Sequence, residues 1–299
     1  MKPADFDIFK NLLYEKSGLV ITIDKAYLLE SRLGPIIKKW AIADLAALSD
    51  KLRAMPDRTL VSDIVDAMTT NETMFFRDQK PFDKFRDLVV PSVIKAKGPN
   101  CTLRVWSAAC SSGQEPYTLG ITIKENAAKW PGVKFEIIAT DLSKEILDQA
   151  KVGKYSQFEV QRGMPIMMLV KYFNQTGDSW TIKDDIKNMV KYSNFNLLDP
   201  MEQFGTFDCI FCRNVLIYFD QTNKGKILEK LSKRLAKHGT LFMGGAETVL
   251  GITNAFRPLE GERGVYVPAD APVPATAGAT APAGSPPSPT MPASTFVRR

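Results

Sequence analysis

Four short apolar runs of this sequence end in residues that could hold a small ligand. The first run, 103–106, leads into the small-residue turn 107–113 and then to Glu115. Small side chains let a ligand approach the backbone closely. Gly113 is the only glycine of the turn and lysine is absent, so the turn fits neither a dinucleotide fingerprint nor a phosphate-binding loop. It predicts a ligand site without a pyrophosphate, unless it serves only to pack a helix onto its strand.

The second run, 135–139, is followed by Asp141. A carboxylate about 20 to 30 residues beyond such a turn is placed to accept both hydroxyls of a ribose. A nucleoside without phosphates therefore fits both junctions. The alternative is that Asp141 caps the following helix, a role that Ser143 could also fill.

The third and fourth junctions are segments 193–199 and 212–220. Asn196 carries an amide that can read an adenine edge. Arg213 and Asn214 place polar groups in apolar surroundings, where burial without partners is costly. Each residue alone could make a structural hydrogen bond, but four such junctions at one sheet edge favour a nucleoside cofactor.

The cysteines and the single histidine argue against metal and redox chemistry. Cys209 and Cys212 have redox or zinc spacing, but they lie in an apparent strand and would point to opposite faces. His238 is expected at a helix end, in the turn 237–239. We therefore expect no metal site and no histidine-dependent hydrolase, and four cysteines in so long a chain indicate a reducing compartment.

The elements that position these junctions alternate between strands and helices from about residue 97 to 267. This order predicts an α/β domain with a mostly parallel sheet covered on both faces. The segment 153–190 breaks the rhythm with glycine, proline and polar residues, and we interpret it as an insertion containing a small antiparallel sheet.

Residues 1–69 have apolar side chains at helical spacing and predict a small all-helical domain of about four helices. Gly18, Gly34, Pro35 and Pro56 are expected to separate them. Residues 70–96 connect the two domains. The last 32 residues, 268–299, hold 8 of the 19 prolines and a single aromatic residue, so we predict a disordered tail.

Composition limits the class of protein. With 299 residues and 44% hydrophobic residues the chain can bury real cores, and neither a membrane-spanning run nor a secretion signal is present. We expect a soluble, cytoplasmic protein. The formal charge of +6, from 39 basic and 33 acidic residues, allows an acidic partner without requiring one.

The junctions, together with segment 71–77, resemble the CheR family of chemoreceptor glutamate O-methyltransferases. The matching stretches are 71–77, 106–117, 139–141 and 207–220, in the order and spacing of the family. The resemblance implies a helical N-terminal domain, a linker, and a class I S-adenosylmethionine-dependent methyltransferase domain with a small β-subdomain at 153–190. It also implies S-adenosylhomocysteine as the product.

The resemblance assigns roles by matched position. Arg77 and Tyr218 would lie beside the transferred methyl group as catalytic residues. Glu115 would meet the methionine ammonium group and Asp141 the ribose. The implied cofactor-binding residues are Asn71, Thr73, Arg77, Ala108, Gly113, Glu115, Asp141, Asn196, Leu197, Arg213 and Asn214. Without the resemblance, Asn71 and Thr73 would be read as a helix cap.

The implied partners are cytoplasmic helices of methyl-accepting receptors, with recruitment to receptor arrays and no nucleic acid. The family's arginine-rich docking helix matches segment 31–40, where only Arg32, Lys38 and Lys39 are basic. Whether a receptor C-terminal peptide binds the β-subdomain stays open.

Two alternatives remain. A signalling module could bind the cofactor without turnover. A nucleic-acid amino-methyltransferase is less favoured, because segment 213–216 lacks the Asn/Asp-Pro-Pro-aromatic motif that holds an exocyclic amine.

Overall fold

The structure is a computed structural model that describes residues 2–271. Its N-terminal part is a bundle of four α-helices: α1 Pro3–Ser17, α2 Ala26–Lys39, α3 Leu45–Ala54 and α4 Arg58–Met68. Asp44 and Asp57 cap the starts of α3 and α4 with their carboxylates. Gly18 ends α1 in the left-handed conformation. Their apolar faces share one core, which includes Phe9, Leu29, Leu33, Leu48, Leu60 and Ile64.

The second domain is built on a seven-stranded sheet. Its strands are β1 Thr102–Ala108, β2 Lys134–Asp141, β6 Val190–Asn194, β7 Phe207–Cys212, β8 Leu235–Phe242, β9 Phe256–Pro258 and β10 Val265–Pro268. The spatial order is β6-β2-β1-β7-β8-β10-β9. The first five strands are parallel, and β10 pairs antiparallel with both β8 and β9. Strand order reverses between β1 and β7, which is where α/β sheets bind ligands.

Helices complete this domain: α5 Lys80–Lys84, a π-helical turn Phe85–Val89, α6 Val90–Lys97, α7 Gln114–Asn126, α8 Lys144–Val152 and α12 Gln221–Ser232. Two cores form, one on each side of the sheet. Cys209 belongs to one core and Cys212 to the other, as expected for residues three apart in a strand. The sheet is therefore buried on both faces.

The segment between β2 and β6 contains a second sheet of three antiparallel strands. These are β3 Lys154–Ser156, β4 Phe173–Thr176 and β5 Ser179–Ile182, in the order β3-β5-β4. Three short helices accompany them: α9 Gln157–Gln161, α10 Ile166–Tyr172 and α11 Asp184–Lys187. We call this unit, residues 153–190, the β-subdomain.

Three expectations from the sequence were wrong. Gly34 and Pro35 do not separate helices, because α2 continues through both and buries Leu29 and Leu33 in the bundle core. Tertiary packing outweighs the weak local preference there. His238 lies inside strand β8 rather than at a helix end, and its Nε2 contacts the Asp208 carboxylate at 2.8 Å.

The third wrong expectation concerns the residue at which the predicted tail begins. Pro268 is the last residue of β10 and pairs with Phe256, and the Ala269 N–H donates to the Ala255 carbonyl. Strand β10 therefore includes Pro268, which the sequence analysis assigned to the tail. Residues 272–299, which hold the rest of the predicted tail, lie outside the described residues.

Candidate functional site

A cavity of about 1050 Å³, including its open mouth, lies at the carboxyl ends of β1, β2, β6 and β7. The N-terminal bundle closes one side of it through Ser17, Leu19 and Val65. The connecting segment after α4 crosses it. Its place matches the reversal of strand order, where open α/β sheets bind their ligands.

The turn after β1 has a strained backbone that faces the cavity. Ala109 and Ser111 have positive φ angles of 62° and 51°. Such angles are costly for residues other than glycine and cluster at functional sites. Hydrogen bonds hold the turn: the Cys110 N–H donates to the Thr140 carbonyl at 2.9 Å, and the Ser111 N–H donates to Asp141 Oδ2 at 2.7 Å. The turn is therefore fixed to the end of β2.

Asp141 is a buried carboxylate at the edge of the cavity, with 7% of its surface exposed. Burial raises its pKa, while backbone N–H groups of Ser111 and Ser143 oppose that rise. Oδ1 accepts from the Ser143 N–H at 3.1 Å, and the Ser143 hydroxyl, rather than Asp141, caps α8. A carboxylate offers about four acceptor sites, so Asp141 keeps acceptor capacity for a ligand hydroxyl.

Glu115 and Arg213 form an ion pair beside the turn. Arg213 Nη1 donates to Glu115 Oε2 at 2.9 Å, and the Ser107 hydroxyl donates to Glu115 Oε1 at 2.8 Å. The Arg213 side chain is 1% exposed. Its Nη2 donates to the Arg77 carbonyl at 3.0 Å and to Asp78 Oδ2 at 2.7 Å. The Arg213 guanidinium thus links Glu115, just after the turn, to the connecting segment.

The connecting segment 71–78 is bound to the α/β domain at further points. The Ser111 hydroxyl donates to the Asn71 carbonyl at 2.9 Å, and the Phe76 N–H donates to the Thr118 hydroxyl of α7 at 3.1 Å. Phe76 and Asp78 have positive φ angles of 50° and 65°. These contacts place Thr73 and Arg77 along the cavity.

The β-subdomain holds the same segment from outside. The Phe75 ring packs edge-on against Tyr155 and Phe173, with centroids 4.9 Å and 5.5 Å apart. Gly163 lies so close to the Phe75 carbonyl oxygen that a Cβ at this position would clash with it. Arg162 forms an ion pair with Glu72 at 3.1 Å. The position of segment 71–78 therefore depends on the β-subdomain.

Arg77 and Tyr218 line the same cavity. Arg77 Nη1 donates to the Glu72 carbonyl at 3.0 Å. Tyr218 ends a short 3₁₀ turn, Leu216–Tyr218, and its carbonyl accepts from the Val20 N–H at 3.2 Å. Within residues 2–271, no protein hydrogen bond to the Tyr218 hydroxyl is present, so this phenol can bond to a ligand.

The Asn196 side chain makes structural hydrogen bonds at the edge of the cavity. Its Nδ2 donates to the Lys16 carbonyl at 2.7 Å and its Oδ1 accepts from the Leu198 N–H at 2.9 Å. The amide therefore joins the end of α1 to the loop after β6. Each of its polar atoms retains capacity for one further bond, so the predicted contact to adenine stays a prediction.

The structure brings ten of the twelve predicted site residues to one cavity. They are Asn71, Thr73, Arg77, Glu115, Asp141, Asn196, Leu197, Arg213, Asn214 and Tyr218. Ala108 and Gly113 lie outside the lining. Ala108 packs into the core as part of β1, and a Cβ at Gly113 would meet the Tyr192 hydroxyl at 2.8 Å. Gly113 thus serves close packing behind the turn.

The sequence analysis missed two acidic residues of the site. Asp78 pairs with Arg213, and no sequence signal points to it, because 135 residues separate the partners. Glu247 follows β8 and its carboxylate binds backbone N–H groups of segment 214–216. The sequence analysis looked for polar residues directly after four of the strands. The same search after β8 would have found Glu247.

The charges of the lining fit S-adenosylmethionine better than a phosphate compound. Asp141 and Glu115 are acceptors suited to ribose hydroxyls and an ammonium group, and a phosphate beside these carboxylates would be repelled. Arg213, a candidate phosphate ligand, already binds Glu115 and Asp78. Its buried Nε atom has no hydrogen-bond partner, a polar group that a ligand could satisfy.

No group of three or more His, Cys, Asp and Glu residues within 2–271 could hold a metal ion. His238, the only histidine of the sequence, contacts Asp208 and does not line the cavity. Burial raises the pKa of Cys110 well above its usual range, which disfavours its thiolate. No helix in the same range is long and apolar enough to cross a bilayer.

Comparison with protein families gives two matches that together span the described chain. Residues 71–265 match the family model described as CheR methyltransferase, SAM binding domain. Residues 4–69 match the model described as CheR methyltransferase, all-alpha domain. The boundary between the matches falls directly after α4.

Curated relatives agree over nearly their whole length. Chemotaxis protein methyltransferase Cher2 of Pseudomonas putida is 38% identical over 87% of this chain and 96% of its own. Chemotaxis protein methyltransferase 1 of Pseudomonas aeruginosa is 38% identical over 88% and 96%. Among solved structures, magnesium protoporphyrin IX methyltransferase of Synechocystis PCC 6803 is 14% identical over 76% and 74%, with a TM-score of 0.32.

Proposed function

The chain belongs to the CheR methyltransferase family and is an S-adenosylmethionine-dependent methyltransferase, and on this premise we propose that it forms methyl esters on glutamate side chains of chemoreceptors. The relatives named above carry the name of chemotaxis methyltransferases. The receptor acceptor, its glutamates and recruitment to receptor arrays are parts of the proposal.

One observation carries the choice of a carboxylate acceptor. Arg77 and Tyr218 line the cavity together, and no histidine lies beside them. A guanidinium and a phenol can orient a carboxylate by hydrogen bonds. An amine acceptor would be mostly protonated at pH 7, and the Arg77 guanidinium would repel that cation. The lining therefore favours an acceptor that arrives already deprotonated.

S-adenosylmethionine supplies a methyl group that its sulfonium sulfur has already activated. A glutamate with a reference pKa of about 4.3 is ionised at pH 7, so this chain need not provide a general base. Its task is alignment of the carboxylate oxygen with the methyl carbon and removal of water from that oxygen. Because charge is neutralised during transfer, a tight grip on the carboxylate would slow the reaction.

We therefore assign orientation of the acceptor to Arg77 and a single supporting hydrogen bond to Tyr218. Asp141 holds the ribose and Glu115 the ammonium group of the cofactor. Asn71, Thr73, Asn196, Leu197, Arg213 and Asn214 complete the proposed cofactor site. Ala108 and Gly113 act from behind the lining, by keeping the turn closely packed.

The basic residues of segment 31–40 partly serve the bundle itself. Arg32 donates to the carbonyls of Met68 and Thr69 and so caps the end of α4. Lys39 forms an ion pair with Asp63 at 2.8 Å. Two of the three basic residues of segment 31–40 thus have partners within the bundle. This leaves the exposed Lys38 for a receptor.

The test is transfer of label from tritiated S-adenosylmethionine to membranes that carry candidate receptors. We expect labelled receptor whose label is released by mild alkali, which identifies a methyl ester. An Asp141→Ala protein serves as the inactive control and an Asp148→Ala protein, changed on the exposed face of α8, as the matched active control.

Two results would contradict the proposal. Label stable to alkali would identify methylation of nitrogen. Binding of the cofactor without transfer to any receptor would indicate a cofactor-binding signalling module.

A further inference from the structure

Glu247 has an unusual set of partners for a buried acid. Its Oε2 accepts from the N–H groups of Gly244 at 2.6 Å and Asn214 at 2.7 Å. Its Oε1 accepts from Val215 at 3.0 Å and Leu216 at 2.7 Å. The residue is 9% exposed, and no ion pair to it occurs within residues 2–271. Four backbone donors therefore balance one buried carboxylate.

Three of these four donors, those of Asn214, Val215 and Leu216, belong to segment 213–218, which also carries the proposed site residues Arg213 and Tyr218. Asn214 has a positive φ of 58°, which asparagine tolerates better than most residues but still at a cost. Leu216 begins the 3₁₀ turn that ends at Tyr218, and no side chain within that segment caps the turn. Glu247 supplies the missing cap from a different strand end.

We propose that Glu247 is a positioning residue for methyl transfer: its carboxylate fixes segment 213–218 and thereby the placement of Asn214 and Tyr218 at the cavity. Glu247 is outside the lining of the cavity, so it acts through these residues. The roles of Asn214 and Tyr218 rest on the proposed function.

The loop after β8 offers a second way to disturb the same contacts. A Cβ at Gly244 would stand 2.6 Å from Asn214 Nδ2 and 2.7 Å from Glu247 Oε2. Its neighbour Gly245 has nothing within 4 Å of the equivalent position. Gly244→Ala and Gly245→Ala are therefore a matched pair that differs only in contact with Asn214 and Glu247.

The experiment compares Glu247→Gln and Gly244→Ala with the controls Glu260→Gln, at an exposed glutamate, and Gly245→Ala. Each protein is tested for kcat at saturating S-adenosylmethionine, for the Kd of S-adenosylhomocysteine by calorimetry, and for Tm. Loss of a residue that orients site residues typically costs about 10- to 100-fold in activity. We expect a fall of that size in kcat for both test variants, a smaller rise in Kd, and wild-type values for both controls.

Leu228→Ala, which opens a cavity in the core under α12, separates positioning from stability. We expect it to lower Tm at least as much as Glu247→Gln while keeping kcat within about twofold at a temperature where both are folded. If Glu247→Gln does not fold, Glu247→Asp replaces it, because it keeps the carboxylate but shortens its reach to segment 214–216. The proposal is overturned if both test variants retain wild-type kcat, or if Leu228→Ala loses as much kcat.

Failure of the proposed function can be distinguished from failure of the proposal for Glu247. In that case the wild-type protein itself would label no receptor. The Kd of S-adenosylhomocysteine would then decide: an increase in the two test variants but not in the controls supports positioning by Glu247, and an unchanged Kd overturns it.

Discussion

The cavity has two walls that are built in different ways. The sheet wall, formed by Ser111, Glu115, Asp141, Leu197 and Arg213, stands on consecutive strand ends above two buried cores. The linker wall, segment 71–78, has no regular secondary structure and is held by side chains of α7, Arg213 and the β-subdomain. One wall is fixed by the sheet, whereas the other is fixed by its neighbours.

This difference suggests that the two walls have different roles in methyl transfer. A rigid wall suits groups that bind the cofactor, because their geometry changes little. The linker wall is held by side chains of several neighbouring elements, so its position can change when those neighbours move. Such a wall suits residues that contact the acceptor. We expect loss of Asp141 from the sheet wall to act mainly on cofactor affinity, and loss of Arg77 from the linker wall to act mainly on the rate of transfer.

The largest effect is expected from Asp141→Ala on the sheet wall. The change removes both proposed bonds to the ribose and the anchor of the Ser111 N–H. Since hydrogen bonds to charged groups contribute about 1.5–3 kcal/mol each, the cofactor Kd should rise at least about 100-fold. Calorimetric titration measures it, with Asp148→Ala as control. An unchanged Kd would reject the assignment of Asp141.

Arg77→Ala on the linker wall should affect the rate. Without the guanidinium the acceptor carboxylate loses its orientation, and misplacement of a reacting group by 1 Å can cost about 100-fold. We expect a loss of about this size in kcat with a rise of only a few-fold in cofactor Kd. Lys80→Ala, at an exposed position just after this wall, is the control. A Kd effect as large as the kcat effect would remove the distinction between the walls.

Gly163→Ala tests whether the β-subdomain positions the linker wall. The new Cβ would clash with the Phe75 carbonyl and must displace segment 71–78 or α9. Gly163 and Gly177 both have positive φ, of 90° and 59°, but a Cβ at Gly177 meets nothing within 4 Å. We expect about a tenfold loss of kcat for Gly163→Ala. Gly177→Ala controls for backbone strain, and equal losses in both would refute the coupling.

Asp66 allows a smaller test at the junction between the bundle and the sheet wall. Burial and the nearby carboxylates of Asp63, Glu145 and Asp141 raise its pKa to about 6, from a usual value of 3.8. The folded protein therefore binds the proton more tightly than the unfolded chain does. Stability from this group is present below about pH 4 and is lost as pH rises through 6.

Asp66→Asn should accordingly raise Tm by a few degrees at pH 7.5 and by nothing near pH 4. Differential scanning calorimetry across this range measures the change, and Asp7→Asn, at an exposed position of α1, is the control. A gain in Tm that is the same at both pH values would show that Asp66 is not the titrating group.

Much of the sheet wall could be predicted from the chain alone. Apolar runs bounded by turns identify strands, and the carboxyl ends of parallel strands must meet at one edge, so Glu115, Asp141, Asn196 and Arg213 were placed together correctly. The orientation of single residues was less accessible. Ala108 at the end of β1 and Gly113 in the turn that follows both pack away from the cavity.

Local signals decided the strands, the helix caps and the polar strand ends, because each depends on residues near one another in the chain. Only the tertiary structure decided the linker wall, the pairing of Asp78 with Arg213, and the binding of four backbone groups by Glu247. These contacts join residues up to 136 positions apart. Their geometry depends on how the separate layers pack, and no local pattern encodes that packing.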